Sequence, residues 1–251
     1  MNRIALITGA ASGLGRATAA KLAADGWRVA GADLNLAGAT GVIAGLPGQG
    51  HRAYAADARD ETAVADLFKA VEGEMGPVTA LLCFAGGTTY TPDYHPRITD
   101  TTLDEWLATE AMNSRTAFLC VREYLRYRKR TPVPHGRIVL TASQAAQVGG
   151  GPTGAGYAAF KAAVLGLMKT AAQEGARAGI TCNAISPGAI DTPALTRTND
   201  QNRVDGMKKF IPVGRIGLPQ EIAATAAFLC SEGAAFITGA TIDVNGGSRM
   251  S

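Results

Sequence analysis

A tyrosine and a lysine stand four residues apart near the start of a long helical pattern. Tyr157 and Lys161 would share one face of that helix, with Cβ atoms about 5–6 Å apart. A free tyrosine has a pKa of about 10, too high for a ready base at neutral pH. A nearby ammonium favours the phenolate and lowers that pKa. The pair therefore predicts a proton donor and acceptor, and Ser143, at the end of an earlier apolar run, can place a hydroxyl beside the same oxygen.

A glycine-rich turn predicts the place of a second chemical function. Residues 8–15 read TGAASGLG, directly after the first apolar run and before a helical pattern. Glycines let backbone N–H groups approach a pyrophosphate, and a helix N-terminus adds positive partial charge. A plain turn between strand and helix is the alternative, but the position after a first strand favours dinucleotide binding. The predicted binding residues in this turn are Gly9, Ser12, Gly13, Leu14 and Gly15.

An acidic residue then predicts which dinucleotide is bound. Asp33 ends the second apolar run, and its neighbours Ala32 and Leu34 are not basic. A carboxylate there can accept hydrogen bonds from the adenosine ribose hydroxyls. It would repel a 2′-phosphate by about 3 kcal/mol per unit charge, for about 5 Å and an effective dielectric of about 20. We therefore expect NAD(H) to be preferred over NADP(H).

The elements that position these residues alternate regularly between predicted strands and predicted helices. Short apolar runs alternate with amphipathic helical stretches such as 16–24, 61–74 and 158–176, which is typical of a parallel sheet covered by helices. We predict an α/β fold, a Rossmann-like doubly wound parallel sheet of about seven strands with helices on both faces, in a single domain spanning residues 1–251. The runs expected to form strands are 4–7, 28–32, 52–56, 80–85, 137–141, 181–185 and 240–244.

The composition of the chain argues against several classes of function. The chain has 251 residues, 47% of them hydrophobic, and a net charge of only +3, so no broad positive field invites nucleic acid. The first apolar stretch is too short for a signal peptide, and no apolar run approaches the roughly 20 residues that span a bilayer, so we expect a soluble cytoplasmic protein. We interpret the basic residues between Arg122 and Arg130 as a solvated helix end. The cysteines and histidines lack metal-ligand spacing, and no metal site is predicted.

Two long segments interrupt the rhythm at the carboxyl ends of strands, where ligands bind in open α/β sheets. Residues 86–101 and 190–218 are expected to wall a substrate pocket, the second as a lid; the first could instead cover a neighbouring subunit. Their polar side chains favour an oxygen-rich or anionic substrate. The residues singled out there are Tyr90, Tyr94, His95, Arg97, Arg197 and Arg203.

Over nearly its whole length the chain resembles the classical short-chain dehydrogenase/reductase family. Residues 8–15 resemble the family's TGxxxGxG motif, and residues 157–161 its YxxxK motif. The resemblance implies that Tyr157 exchanges the proton, that Ser143 holds the substrate oxygen, and that Lys161 binds the nicotinamide ribose. It implies that Asn113 anchors a water linking Lys161 to solvent. It also implies cofactor contacts from Asp57, Ala58, Ala85, Gly86, Pro187, Gly188, Ile190 and Thr192.

One motif departs from the family, and several functions stay open. The NNAG motif reads CFAG at residues 83–86, and Phe84 cannot make the hydrogen bonds of an asparagine side chain. We expect an NAD(H)-dependent oxidoreductase that interconverts a secondary alcohol and a ketone or aldehyde, resembling 3-oxoacyl reductases or polyol, sugar and hydroxy-compound dehydrogenases. The alternatives are dehydration, epimerisation or dehalogenation on the same scaffold, or a non-catalytic cofactor-bound sensor. The resemblance implies a homotetramer, paired through residues 103–130 and 158–176.

Overall fold

The strands of a central sheet account for all seven predicted apolar runs. The computed structural model describes residues 3–88, 91, 97–150 and 153–250, with residues 197 and 198 described by their backbone alone. Apolar segments form these strands, and the central ones are buried on both faces. They are β1 (Ile4–Thr8), β2 (Arg28–Asp33), β3 (Arg52–Ala55), β4 (Ala80–Cys83), β5 (Arg137–Thr141), β6 (Thr181–Pro187) and β7 (Thr241–Val244).

Helices connect the strands, and five of the ten α-helices described begin at a capping side chain. Asp60, for example, accepts a hydrogen bond from the N–H of Ala63 and starts the third helix. The helices are α1 (Gly13–Ala24), α2 (Leu36–Ala44), α3 (Glu61–Glu74), α4 (Leu103–Glu110), α5 (Thr116–Arg130), α6 (Ala145–Val148), α7 (Ala155–Ala176), α8 (Pro193–Thr198), α9 (Gln201–Lys208) and α10 (Pro219–Cys230). A π-helical turn, Ala111–Arg115, joins α4 to α5.

The sheet is parallel throughout and covered on both faces. Its strand order is β3-β2-β1-β4-β5-β6-β7. One apolar cluster joins α3, α5 and α7 to one face, through residues such as Phe68, Leu119 and Met168. A second cluster joins α1 and α10 to the other face, through residues such as Leu22 and Ile222. This confirms the predicted Rossmann-like, doubly wound α/β fold.

The strand order predicts a ligand crevice at the carboxyl ends of the central strands. Chain direction along the sheet reverses between β1 and β4, and in such sheets ligands bind outside the carboxyl ends of the strands at this switch point. Thr8, Asp33, Cys83, Thr141 and Pro187 are the residues at the carboxyl ends of five strands. The predicted functional residues follow these ends, so the topology brings them together.

The basic end of α5 differs from its interpretation as a solvated helix end. Arg128 is 1% exposed, forms an ion pair with Glu72 of α3, and lies 5.5 Å above the Tyr124 ring. The interpretation was wrong for Arg128 because Glu72 of α3 and the ring of Tyr124, one turn earlier on α5, compensate its buried charge. Arg126 remains half exposed and pairs with Glu123.

Two further sequence expectations concern the described part of the chain. No helix within it is long and apolar enough to cross a membrane. Among the same residues, no cluster of histidine, cysteine, aspartate and glutamate could hold a metal ion. All four cysteines, Cys83, Cys120, Cys182 and Cys230, are buried and free.

Candidate active site

A cavity of about 910 Å³ lies at the carboxyl ends of the strands. Ser143, Tyr157 and Lys161 line it, whereas Asn113 is buried behind its wall. All the residues predicted to contact a cofactor also line it. Those outside the catalytic group are Gly9, Ser12, Gly13, Leu14, Gly15, Asp33, Asp57, Ala58, Ala85, Gly86, Pro187, Gly188, Ile190 and Thr192.

The glycine-rich turn is packed too closely for a side chain at Gly9 or at Gly15. Gly9 has a φ of +74°, and a Cβ added there would lie 2.7 Å from the backbone nitrogen of Ala85. A Cβ on Gly15 would lie 2.1 Å from the carbonyl oxygen of Gly9. Ser12 precedes α1 without a capping hydrogen bond from its side chain, so the first N–H groups of that helix lack this usual partner. This cradle fits the pyrophosphate of a dinucleotide, since backbone donors can approach the phosphates closely.

Asp33 is held in place at the end of β2. Its Oδ2 accepts a hydrogen bond of 3.0 Å from the N–H of Ala11, and its Oδ1 accepts one of 2.9 Å from the N–H of Asn35. The carboxylate is thus tied to the glycine-rich turn and stays partly exposed on the cavity wall. This geometry fits the adenosine ribose end of a dinucleotide.

Sequence reasoning missed Arg59, which lines the same cavity. Its guanidinium lies 2.7 Å from Asp57 Oδ2, and this hydrogen bond is the largest cause that lowers the pKa of Asp57. The sequence signal was weak, because a basic residue two positions after an aspartate also occurs in surface loops that bind nothing. Arg59 therefore places a positive charge at the adenosine end of the cavity, and Asp57 already balances that charge.

Burial controls the protonation of the Tyr157–Lys161 pair. Lys161 Nζ donates a hydrogen bond of 2.9 Å to the carbonyl oxygen of Thr141 and lies 5.7 Å from the centroid of the Tyr157 ring. Desolvation lowers the pKa of Lys161 to about 8. Desolvation also raises the pKa of Tyr157, while a hydrogen bond with Ser143 lowers it in part. For the protein groups alone, burial outweighs the Ser143 hydrogen bond, so the pKa of Tyr157 is raised. The lowering expected from Lys161 together with an oxidised nicotinamide stays a prediction.

Asn113 lies inside the helix, as the Thr102–Glu105 capping box predicts. Its Nδ2 donates to the carbonyl oxygens of Gly87 and Thr109, each at 2.9 Å. A Cβ on Gly86 would lie 3.1 Å from Asn113 Oδ1 and 3.4 Å from Lys161 Nζ. Asn113 therefore fixes the segment after β4 close to Lys161, while its link to a water stays a prediction.

Phe84 replaces the family asparagine without breaking the local backbone. Its N–H donates to the carbonyl oxygen of Thr8 at 3.1 Å, and the next N–H, of Ala85, donates to Thr8 Oγ1 at 3.4 Å. The side chain packs against the apolar cluster that contains β1 and α1. Backbone contacts therefore keep this strand end against the glycine-rich turn.

The substrate end of the cavity matches the predicted walls only in part. Gly86, Gly87 and Thr88 line it from the first segment, and Ala194, Leu195, Asn199 and Met207 line it from the second. Arg97 and Arg203 are exposed and do not line it. Tyr90, Tyr94 and His95 lie outside the described residues, as does the side chain of Arg197. Within the described residues, the basic side chains on the cavity wall are Lys161 and Arg59.

Comparison with known proteins agrees with this fold. The family model described as enoyl-(acyl carrier protein) reductase, of the short-chain dehydrogenase/reductase type, matches residues 9–249. D-threitol dehydrogenase of Mycolicibacterium smegmatis is 38% identical, over 98% of this chain and 92% of its own. The 3-oxoacyl-[acyl-carrier-protein] reductase FabG of Escherichia coli K12 is 36% identical, over 99% and 98%. A crystal structure of ribose-5-phosphate isomerase from Brucella melitensis 16M superposes with a TM-score of 0.89 at 30% identity, covering 98% and 92%.

These matches define the class of protein and then the family. The parallel sheet with its crevice is that of a nucleotide-binding α/β enzyme. The chain belongs to the short-chain dehydrogenase/reductase family, whose members use NAD(P)H. It is accordingly an oxidoreductase that acts on an alcohol or ketone group.

Proposed function

We propose that this chain is an NAD(H)-dependent dehydrogenase of a small, uncharged, hydroxylated secondary alcohol or the matching ketone, with Tyr157 as the acid and base. The observation that supports it is that Ser143, Tyr157 and Lys161 line the same cavity as the close-packed glycine-rich turn. When bound, the nicotinamide supplies or accepts the hydride. The residues of the chain bind both molecules, orient them and move the proton.

The proton path follows from the geometry of the pair. Ser143 and Tyr157 share a hydrogen bond, so both hydroxyls can point at one substrate oxygen. Tyr157 in its protonated form gives its proton to that oxygen during reduction, and its phenolate takes the proton back during oxidation. Lys161, anchored on the Thr141 carbonyl, can carry a positive charge that stabilises the phenolate at the moment it forms.

Cofactor choice rests on Asp33. Its carboxylate is fixed by two backbone N–H groups and opposes a 2′-phosphate, at an energetic cost of about 3 kcal/mol. The nearby cation of Arg59 is engaged by Asp57 and offers little compensation. NAD(H) is therefore preferred over NADP(H).

The lining of the substrate end favours a neutral substrate over an anionic one. Its polar members are uncharged: Thr88, Gln144, Thr153 and Asn199. Val148, Leu195 and Met207 add apolar surface. An anion buried there would lack a cationic partner from the described lining beyond Lys161, which is anchored on Thr141 and placed beside Tyr157. A small polyol or hydroxyketone fits this balance, and the similarity to D-threitol dehydrogenase supports the same class.

The test is a screen of uncharged polyols, simple secondary alcohols and their ketones, followed by NADH absorbance with NADPH in parallel. We expect turnover of hydroxylated substrates and a kcat/KM at least about a hundredfold higher for NADH than for NADPH. Asp33→Asn keeps a hydrogen-bond acceptor for the backbone but removes the charge. It should lower the ratio of kcat/KM for NADH to kcat/KM for NADPH at least tenfold. Asp66→Ala on α3, outside the cavity, is the control. Equal use of both cofactors by the unmodified protein would refute the role of Asp33.

Tyr157→Phe tests the chemical assignment in the same assay. The ring is retained while the hydroxyl is lost, so turnover should fall by at least about 10²-fold and NADH binding should remain. Tyr54→Phe on β3 removes a hydroxyl that contacts only Glu74 among its described hydrogen bonds, and should leave turnover unchanged. Retention of more than a tenth of the activity by Tyr157→Phe would exclude Tyr157 as the acid and base.

A further inference from the structure

The residue after Ser143 is held by the far end of the chain. Gln144 lines the cavity, and its Oε1 accepts a hydrogen bond of 2.7 Å from Ser248 Oγ, which lies 104 residues later. Its backbone N–H donates to the carbonyl oxygen of Pro187 at 2.9 Å. Backbone and side chain of Gln144 are therefore both fixed at the wall where the reaction takes place.

The opposite end of the Gln144 amide is available to a ligand. Within the described part of the chain, Nε2 has no hydrogen-bond partner, and it is not among the buried polar atoms that lack one. It is therefore accessible on the wall of the cavity. A primary amide with its oxygen paired still offers two N–H donors.

Ser248 holds this amide in a way that suits a hydroxyl ligand. Ser248 Oγ also lies 2.8 Å from the carbonyl oxygen of Asn245, and its one proton serves both oxygens. A hydroxyl can donate to the amide oxygen or accept from the amide nitrogen. Ser248 can therefore hold the Gln144 side chain with either of these atoms facing it. A substrate hydroxyl, which also donates and accepts, can pair with either orientation of the free end. A carboxylate or phosphate can only accept.

The segment that carries Ser248 is itself anchored. The N–H of Gly247 donates to Asn245 Oδ1 at 2.9 Å, and Asn245 Nδ2 donates to the carbonyl oxygen of Arg249 at 3.0 Å. Against the end of the lid segment, the N–H of Val213 donates to the carbonyl oxygen of Gly246 at 3.1 Å. These contacts place Ser248 firmly enough to orient a side chain in the cavity.

We propose that Gln144, positioned by Ser248, binds a second hydroxyl of the substrate on the carbon next to the reacting carbon. Gln144 directly follows Ser143 and both line the cavity, so one small ligand can contact both side chains. Gln144 is thus a specificity-determining residue, and Ser248 is a positioning residue that acts through it. The inference rests on the proposed function and specifies its substrate class as α-hydroxyketones and vicinal diols.

The experiment compares two uncharged four-carbon ketones that differ by one hydroxyl, 3-hydroxy-2-butanone and 2-butanone, with NADH as cofactor. The unmodified protein should favour the hydroxyketone about tenfold in kcat/KM, the value of one neutral hydrogen bond. Gln144→Met keeps the length of the side chain and should remove that preference, so that the ratio of the two kcat/KM values falls to about one. Ser248→Ala should lower the preference severalfold through KM, and Ser248→Thr, which keeps the hydroxyl, should retain it.

Gln147→Met is the matched control. Gln147 lies on α6, which begins directly after Gln144, its Oε1 contacts Ser186, and it does not line the cavity, so the preference should persist. Bound NADH, measured by its fluorescence, reports that each variant is folded. Equal use of the two ketones by the unmodified protein, or an unchanged preference in Gln144→Met, overturns the proposal. If Gln144→Met does not fold, equal preferences in Ser248→Ala and Ser248→Thr overturn it. Absence of turnover of both ketones and of the wider screen counts against the proposed function instead.

Discussion

At the scale of single residues, the site places an amine and a phenol where burial disfavours the charge of each. Desolvation lowers the pKa of Lys161 to about 8 and raises the pKa of Tyr157. Ser143 opposes the second effect through its hydrogen bond. Tyr157 therefore starts as a neutral acid, and Lys161 titrates much closer to neutral pH than a free lysine does.

The shifted pKa of Lys161 makes the free energy of unfolding depend on pH. Between about pH 8 and pH 10.5 the unfolded chain binds the proton that the folded chain has lost, so stability rises with pH in that window. Relative to Lys161→Met, the unmodified protein should gain roughly 2 kcal/mol between pH 8 and pH 10. Urea unfolding of both proteins at several pH values measures this difference. A difference that stays constant, or shrinks as pH rises, would show that Lys161 keeps its ordinary pKa.

Residue types and spacing predict which side chains take part but not their surroundings. The four-residue interval put Tyr157 and Lys161 on one helix face, and that interval survives in the structure because helical geometry is local. The sign of the Tyr157 pKa shift depends on burial by elements distant in sequence, so it could not be read from the motif. The Gln144–Ser248 contact was out of reach for the same reason, since 104 residues separate the two.

At the scale of elements, boundaries were predictable where a strong local signal marks them. The predicted span 61–74 matches α3 at both ends, and its first residue follows the Asp60 cap. The π-helical turn that contains Asn113 was not predicted, because widening a helix by one residue per turn leaves no mark on composition or capping. Residues 190–218, expected as an irregular lid, contain the short helices α8 and α9.

The glycine-rich turn gives the clearest prediction at this scale. A Cβ at Gly15 would lie 2.1 Å from the carbonyl oxygen of Gly9, so Gly15→Ala must displace the turn that cradles the cofactor. We expect NADH affinity to fall at least tenfold and the free energy of unfolding to fall by about 1–3 kcal/mol. Gly73→Ala in α3 meets nothing within 4 Å and should instead raise stability by about 0.5–1 kcal/mol. Titration with NADH measures the affinity, and urea unfolding measures the stability. Unchanged NADH affinity in Gly15→Ala would show that the turn does not bind the cofactor.

At the scale of the whole molecule, the outer faces of α4 and α5 carry apolar side chains that nothing among the described residues covers fully. Leu103 is 70% exposed, Leu107 is 48% exposed and Phe118 is 45% exposed. Single exposed apolar residues are common, but a group on consecutive helices is typical of an interface between subunits. These helices fall within residues 103–130, the stretch through which the family resemblance implies pairing.

The last prediction is therefore that this chain assembles into a homotetramer. A closed tetramer built from paired faces needs two self-complementary surfaces on each subunit, and the resemblance implies pairing through residues 103–130 and 158–176. Apolar side chains that are half exposed in one subunit become buried in that assembly. Sedimentation at micromolar concentration should show a tetramer. The double variant Leu107→Asp, Phe118→Asp should dissociate into smaller species, because burying two new carboxylates without partners is unfavourable. Leu36→Asp, at the start of α2 and 44% exposed, is the matched control and should leave the tetramer intact. A stable monomer of the unmodified protein would contradict the predicted tetramer. An intact tetramer of the double variant would show that the interface lies on another face.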